Sequence, residues 1–438
     1  MMQNNLIQKF ASPSGLQQKL DKLFATVQRQ FSQSDLKTPF SQTHKRQRDE
    51  KDTQATPVPD KSTSKSKKAK TRNFYDPIPF HPTENSKRTV SEVKKAAHDE
   101  IWMFKQYNAS TDPKWASLAM DIELVSQEFS RLIHPFYPKI RMGSCENKTG
   151  IASKKLTDYQ SINQVPRNER HAALQADKWH GMGASSVLAL VLNNQDFKLG
   201  NLGLVNKNVV VNIDGNWCLA GLLDSSFSNF NISESDIREL PNLGTHKAYN
   251  WLDQYDEGRP GKKFTKFPCT SECRYEINFT IFDIIILPDE FFHAFARYYA
   301  SSEENARIIA NEMITNISQL RNAALQNESF KVYLSNLQPS QELFPYISYL
   351  KNFKMTGKNQ ISYLVPDLQT KIESRYNELK KIVITESSLQ SSFSSSTQSS
   401  SSNFAMNTLF SSDSTKAMAL SQHENTVMMK PELKINAY

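Results

Sequence analysis

One stretch constrains this chain more than any other: Val191-Leu-Asn-Asn-Gln-Asp-Phe-Lys-Leu-Gly-Asn-Leu-Gly-Leu-Val-Asn-Lys-Asn-Val-Val-Val-Asn-Ile-Asp-Gly-Asn216. Asn201 follows Asp196 by five residues, and Asp214 follows Asn201 by thirteen. These residue types suit phosphoryl transfer. That reaction requires little covalent help, but it needs a carboxylate beside the acceptor hydroxyl and oxygen ligands for a divalent cation between the phosphates.

The flanking pattern agrees. Met182 to Leu192 is apolar nearly all round, as a helix buried in a core is. Leu202-Gly-Leu-Val and Val209-Val-Val-Asn-Ile are short β-rich runs joined by Asn206-Lys207-Asn208, which reads as a hairpin turn. A hairpin of this length returns Asp214 towards Asn201, where both can hold one ion. Buried helix, Asp loop, hairpin and Asp-Gly follow one another in the larger lobe of kinases. Asp-x4-Asn alone is a weak signal, because surface turns are rich in both residues. A chance constellation in an unrelated α/β domain is the competing reading.

The chain's 438 residues include tails that cannot fold by themselves. Residues 41–72 are polar and charged, with Lys45-Arg-Gln-Arg48 and Lys65-Ser-Lys-Lys-Ala-Lys70; residues 386–403 are almost all Ser, Thr and Gln. Neither can bury enough apolar surface to offset its ordering entropy, so both are expected to be disordered. The net charge of +8 lies largely in the basic arm. Such clusters serve as nuclear import signals, acidic-lipid binders or plain solvated tails. No basic face interleaved with aromatics, zinc finger or RNP-like motif supports dedicated nucleic-acid binding. Four cysteines, Cys145, Cys218, Cys269 and Cys273, are too few for a disulfide framework, and Cys269-x3-Cys273 lacks a partner pair for zinc. No apolar run is long enough for a transmembrane segment, and the N-terminus lacks a Sec-type signal pattern.

A kinase also needs a lysine on a strand to contact phosphates and a helix carboxylate to hold that lysine. Ile101-Trp-Met-Phe-Lys-Gln-Tyr107 reads as a strand with Lys105 inside it. Residues 114–133 then have helical periodicity, with Leu118, Ile122, Val125, Phe129 and Leu132 on one face, Pro113 at the start, and Pro135 and Pro138 beyond the end. At about 100° per residue Glu128 lies beside that buried face, and Glu123 falls further round towards solvent. Glu128 is therefore the expected partner of Lys105, with Glu123 as second choice. Lys139–Met142 and Gly150–Lys154 read as the next strands. Lys154, in Ala152-Ser-Lys154, is the rival phosphate lysine, although it follows the helix rather than preceding it.

On these residues the chain resembles the atypical, phosphoinositide-kinase-like effector kinases of Legionella and related intracellular bacteria, and it is distantly similar to the type II phosphatidylinositol 4-kinases. The matching segments are Met103-Phe-Lys105 with Asp112-Pro-Lys-Trp115, Glu128 through Met142, Gly150 through Lys155, Gly181-Met-Gly183, and Asp196 through Asn201 to Asp214. The resemblance implies an α+β, two-lobed protein-kinase-like fold with a small β-rich N-lobe (73–160) and a larger helical C-lobe (161–385). An N-terminal helix plus disordered basic arm (1–72) precedes them, and a Ser-rich disordered tail with a secretion signal (386–438) follows. It also implies ATP with Mg²⁺ or Mn²⁺. Lys105 would contact phosphates, Glu128 would orient it, Asp196 would be the catalytic carboxylate, and Asn201 and Asp214 would bind metal.

Departures bear on the substrate. No glycine lies between Gly15 and Gly143, so Thr83-Glu-Asn-Ser-Lys-Arg88 is the candidate phosphate cover. Asn194-Gln195 replaces the His-Arg before the catalytic Asp, and Lys198 stands where lipid kinases of this type often carry His and protein kinases carry Lys. Substrate is expected to be a host protein or a phosphoinositide. Arg259-Pro-Gly-Lys-Lys-Phe-Thr-Lys266 would suit an inositol phosphate or other polyanion, a solvated loop being the plainer reading. The C-terminal 50 residues, ending Met428-Met-Lys-Pro-Glu-Leu-Lys-Ile-Asn-Ala-Tyr438, resemble a type IV translocation signal. That resemblance implies secretion into a host cell's cytosol, with host membrane or nucleus as further destinations. The alternatives are a non-catalytic kinase-fold binding module and another nucleotide-dependent transferase (adenylylation or glutamylation) on the same fold.

Overall fold

The strands predicted around Lys105 join two unpredicted ones before them in a closed barrel. The computed structural model describes residues 78–82, 90–95, 100–107, 112–243, 251, 266–355, 361 and 364–397. β1 (Ile78–Pro82), β2 (Val90–Lys95), β3 (Ile101–Gln106), β4 (Ile140–Cys145) and β5 (Lys148–Lys154) form a barrel in the order β1-β2-β3-β5-β4, with β1 and β4 parallel and the other pairs antiparallel. Alternation sorts their side chains. Val93, Trp102, Phe104, Cys145 and Ala152 form one buried cluster, whereas Ile140 and Ile151 face the other way and join the main core. Glu146 (φ 50°) and Asn147 (φ 61°) make the tight turn between β4 and β5, whose positive φ at both central residues matches strand twist.

Helix α1 (Pro113–Ile133) starts where Asp112 caps it, its Oδ1 accepting from the amides of Lys114 (2.9 Å) and Trp115 (3.2 Å), with Pro113 in the first turn. The helix is buried on every side from Asp121 to Leu132. The barrel covers one flank. The other is covered by α6 (Asp289–Tyr299) and α7 (Glu303–Gln326), where Phe129 lies edge-on to Phe292 and Phe295. There Asp121 accepts from Ser301 Oγ (2.6 Å) and Asn305 Nδ2 (2.7 Å). Glu123 is thus not on a solvent face as periodicity suggested; it is 5 % exposed.

Between barrel and helices lie a short strand β6 (Gln160–Ser161), α2 (Arg167–Gln175), the buried α3 (Met182–Val191), and the hairpin β7 (Leu202–Val205) and β8 (Val209–Asn212). The hairpin turns at Asn206 and Lys207, both at positive φ. Gly181 caps α3 at φ 84°, where a Cβ would meet His134 Nε2 at 2.4 Å. The remainder is helical: α4 (Glu234–Glu239), α5 (Ser271–Ile285), α6, α7, α8 (Glu328–Asn336), α9 (Leu343–Asn352) and α10 (Leu368–Thr397). The architecture is mixed α+β. Helix α10 continues through Thr397, past the boundary at 385 and into the Ser-rich stretch expected to be disordered. Among the described residues no helix is long and apolar enough to cross a membrane. The basic arm, the first seven residues of the Arg259–Lys266 loop and residues 398–438 lie outside the described residues.

Candidate active site

Three elements far apart in sequence meet at Lys105. Its Nζ stands 3.2 Å from Asp214 Oδ1 and 3.4 Å from Glu123 Oε2, joining the barrel, α1 and the loop after β8. Burial alone would lower the Lys105 ammonium's pKa, but the Glu123 and Asp214 carboxylates outweigh it and the net shift is upward. Burial raises Glu123, against the pull of Lys105. Tyr107, two residues beyond Lys105 and therefore on the same strand face, donates its hydroxyl to Glu123. Burial, then the Glu123 charge, pushes that phenol well above its ordinary value.

The Asp196 loop is fixed from within. Asn194 Oδ1 accepts from the Asp196 amide at 2.9 Å, and Asn212 Oδ1 accepts from the Asp214 amide at 3.1 Å. Each acid therefore follows an Asx turn made by an Asn two residues earlier. The sequence carried this signal twice, as Asn194-x-Asp196 and Asn212-x-Asp214, and it went unread. Asn201 Nδ2 donates to Asp196 O (2.9 Å) and Asp196 Oδ2 (3.0 Å), while Lys198 Nζ pairs with the same carboxylate at 2.9 Å. The two loops are stitched together. Ile213 N–H donates to Asn201 O at 2.9 Å, and Gln195 N–H to Trp217 O at 3.1 Å. Asp214 is thereby set one residue past the backbone of Asn201. Gly215 follows because a Cβ there would meet Gln127 of α1 at 2.7–3.2 Å.

Two expected residues lie elsewhere. Glu128 does not touch Lys105. Its carboxylate, 0 % exposed, accepts from Arg131 Nε (3.1 Å) and Nη2 (2.6 Å), the Ile140 amide (3.0 Å) and the Tyr299 hydroxyl (2.9 Å). Burial would raise its pKa, but the Arg131 guanidinium and these donors hold it below the ordinary carboxylate range. Glu128 fastens α1 to β4 and α6; Glu123, the second choice, takes the place beside Lys105. Lys154 does not join the Lys105 cluster either. It pairs with Glu100 at 2.8 Å, both side chains 45 % exposed, and the register that sets Lys105 opposite Ile151 turns Lys154 to the opposite sheet face.

Thr83–Arg88, the candidate phosphate cover, lies outside the described residues, although Val90, where β2 begins, pairs with Lys105. All four cysteines are free, and among the described residues no cluster of His, Cys, Asp and Glu is built to hold a metal by itself.

No family model and no curated protein matches the chain. Among solved structures the chain is similar to the Helicobacter pylori proinflammatory kinase CtkA, at 13 % identity and a TM-score of 0.37 over 57 % of this chain and 92 % of that one. At that score the likeness adds nothing to the weight of the site's own geometry.

Proposed function

We propose that this chain is an ATP-dependent phosphotransferase with a two-lobed, kinase-like arrangement, the barrel and α1 forming the smaller lobe. The observation that carries the reading is Lys105 held between Glu123 and Asp214, with Asp196 and Asn201 tied to the same loop pair. A strand lysine braced by a helix carboxylate is suited to bind the nucleotide's phosphates. Asp196, itself braced by Asn201 and Lys198, is suited to orient an acceptor hydroxyl and take its proton.

The donor set fits Mg²⁺ or Mn²⁺. Asp214 offers a carboxylate, and Asn201, its nitrogen committed to Asp196, offers its amide oxygen; hard oxygen ligands are what such ions require. Bound there, the ion would neutralise phosphate charge. The acceptor is a hydroxyl of a host protein or a phosphoinositide, and the Ser-rich stretch and C-terminal sequence support delivery into a host cell as an effector.

The test is γ-phosphate transfer with Mg²⁺ or Mn²⁺ in host lysate, read by mass spectrometry of the product, alongside a thermal shift with nucleotide. Transfer that vanishes in Asp196→Ala, with nucleotide stabilisation retained, supports the reading. Stabilisation without Asp196-dependent transfer overturns it in favour of a non-catalytic binding module. An adenylyl or glutamyl mass on the product redirects it to that transfer.

A further inference from the structure

The barrel's other face carries a second concentration of charge. Strand register places Phe104, Ala152 and Arg141 in one cross-strand row. In the next row on that face Trp102 pairs with Lys154, and the Lys154 amide donates to Lys139 O at 2.7 Å. Lys139, Arg141 and Lys154 thus share one end of β3, β4 and β5, on the face opposite Lys105. The Arg141 guanidinium lies 4.5 Å over the buried Trp102 ring, a geometry that fixes its position.

Among the described residues these cations outnumber the carboxylates near them. Lys154 has Glu100, which also acts on Arg141. Among the described residues Glu128 is the other carboxylate acting on this group, but two bonds from Arg131 and one each from Ile140 and Tyr299 use its acceptor sites. Among the described residues Lys139 makes no side-chain hydrogen bond or ion pair, and Arg141 Nε is buried without an acceptor. Burial, then the charges of Arg131 and Arg141, pulls the Lys139 ammonium down to about 8. Holding partly buried cations together with little counter-charge is unfavourable, and an anion relieves it.

We propose that Lys139, Arg141 and Lys154 form a binding site for a compact anion carrying several phosphate charges, separate from the Lys105 site. A guanidinium fixed on an indole offers a planar fork for phosphate oxygens, and two ammonium groups supply point charges beside it. The site's existence does not depend on the phosphotransferase reading.

Calorimetric titration of the full chain with tripolyphosphate, and co-sedimentation with vesicles containing phosphatidylinositol 4-phosphate, test it. The double variant Lys139→Gln/Arg141→Gln is expected to weaken binding by about tenfold or more, equivalent to about 1.4 kcal/mol. Lys154→Gln, at an exposed position, is expected to weaken it less while leaving the fold intact. Lys105→Met, which alters only the opposite face, is expected to remove at most a separate Lys105-dependent event and to leave the binding that Lys139→Gln/Arg141→Gln weakens unchanged. Variant-sensitive binding of tripolyphosphate identifies a soluble ligand; variant-sensitive binding of vesicles alone identifies a lipid headgroup. Binding of neither probe, binding indifferent to both barrel variants, or loss with Lys105→Met of the binding that Lys139→Gln/Arg141→Gln weakens overturns the proposal.

Discussion

Helix α1 carries two glutamates five residues apart, and the structure puts them to opposite uses. Glu128 is sealed from water, with its partners Arg131, Ile140 and Tyr299 saturating its oxygens. Glu123 shares Lys105 with Asp214, whose side chain is 30 % exposed, so the cluster borders water. Both are ion pairs on one helix. A saturated pair can only hold structure, whereas a lysine between two carboxylates at an accessible edge has charge to offer a ligand.

Substitutions sharpen that contrast, beginning with the largest effect. Asp196→Ala is expected to lower phosphate transfer by ~10³-fold while shifting the denaturation midpoint far less than a change at Glu128, read by product formation and chemical unfolding. Glu128→Gln should do the reverse. It leaves a buried guanidinium poorly compensated and lowers folding stability by about 3–5 kcal/mol, measured by denaturant titration, while folded molecules still transfer. If Glu128→Gln abolished transfer at full stability, the division of labour between the two glutamates would be wrong.

Acid should expose the same difference. The folded-state pKa of Glu128 is depressed, so its contribution is present above the ordinary carboxylate pKa and is lost as pH falls through the folded value. Stability measured against pH should therefore fall on the acid side, and Glu128→Gln should flatten that limb. Tyr107→Phe removes one hydrogen bond to a charged group, worth about 1.5–3 kcal/mol. It is expected to weaken nucleotide affinity, read by titration, more than it weakens the fold. Lys154→Ala, an exposed pair with Glu100, should change stability by less than about 1 kcal/mol and leave transfer untouched.

What could be read in the sequence was local. Asp196, Asn201 and Asp214 flank one hairpin, so their spacing and the alternation of β7 and β8 were enough to bring their backbones together. Lys105 followed from a strand pattern. The choice between Glu123 and Glu128 was not local. Helical phase assumes one flank in water, but Lys105 and Tyr107 of the barrel and the Gly215 loop against Gln127 occupy that flank, and Tyr299, more than a hundred and fifty residues downstream, claims Glu128. Tyr107 was visible as a same-face neighbour of Lys105, but its acceptor on α1 was not. Helix α10 ran beyond 385 although composition argued for disorder there, because composition counts side chains available for burial and not whether a helix already started will propagate.

The grip on α1 has a consequence for control. Asp121 is tied to Ser301 and Asn305, Phe129 is wedged against two rings, and Glu128 is bolted to Tyr299, so both flanks hold the helix at the depth that brings Glu123 to Lys105. A switch that works by swinging such a helix outward would have to tear open the interior of the protein. Compounds that need an outward-rotated helix are therefore expected to bind this chain poorly.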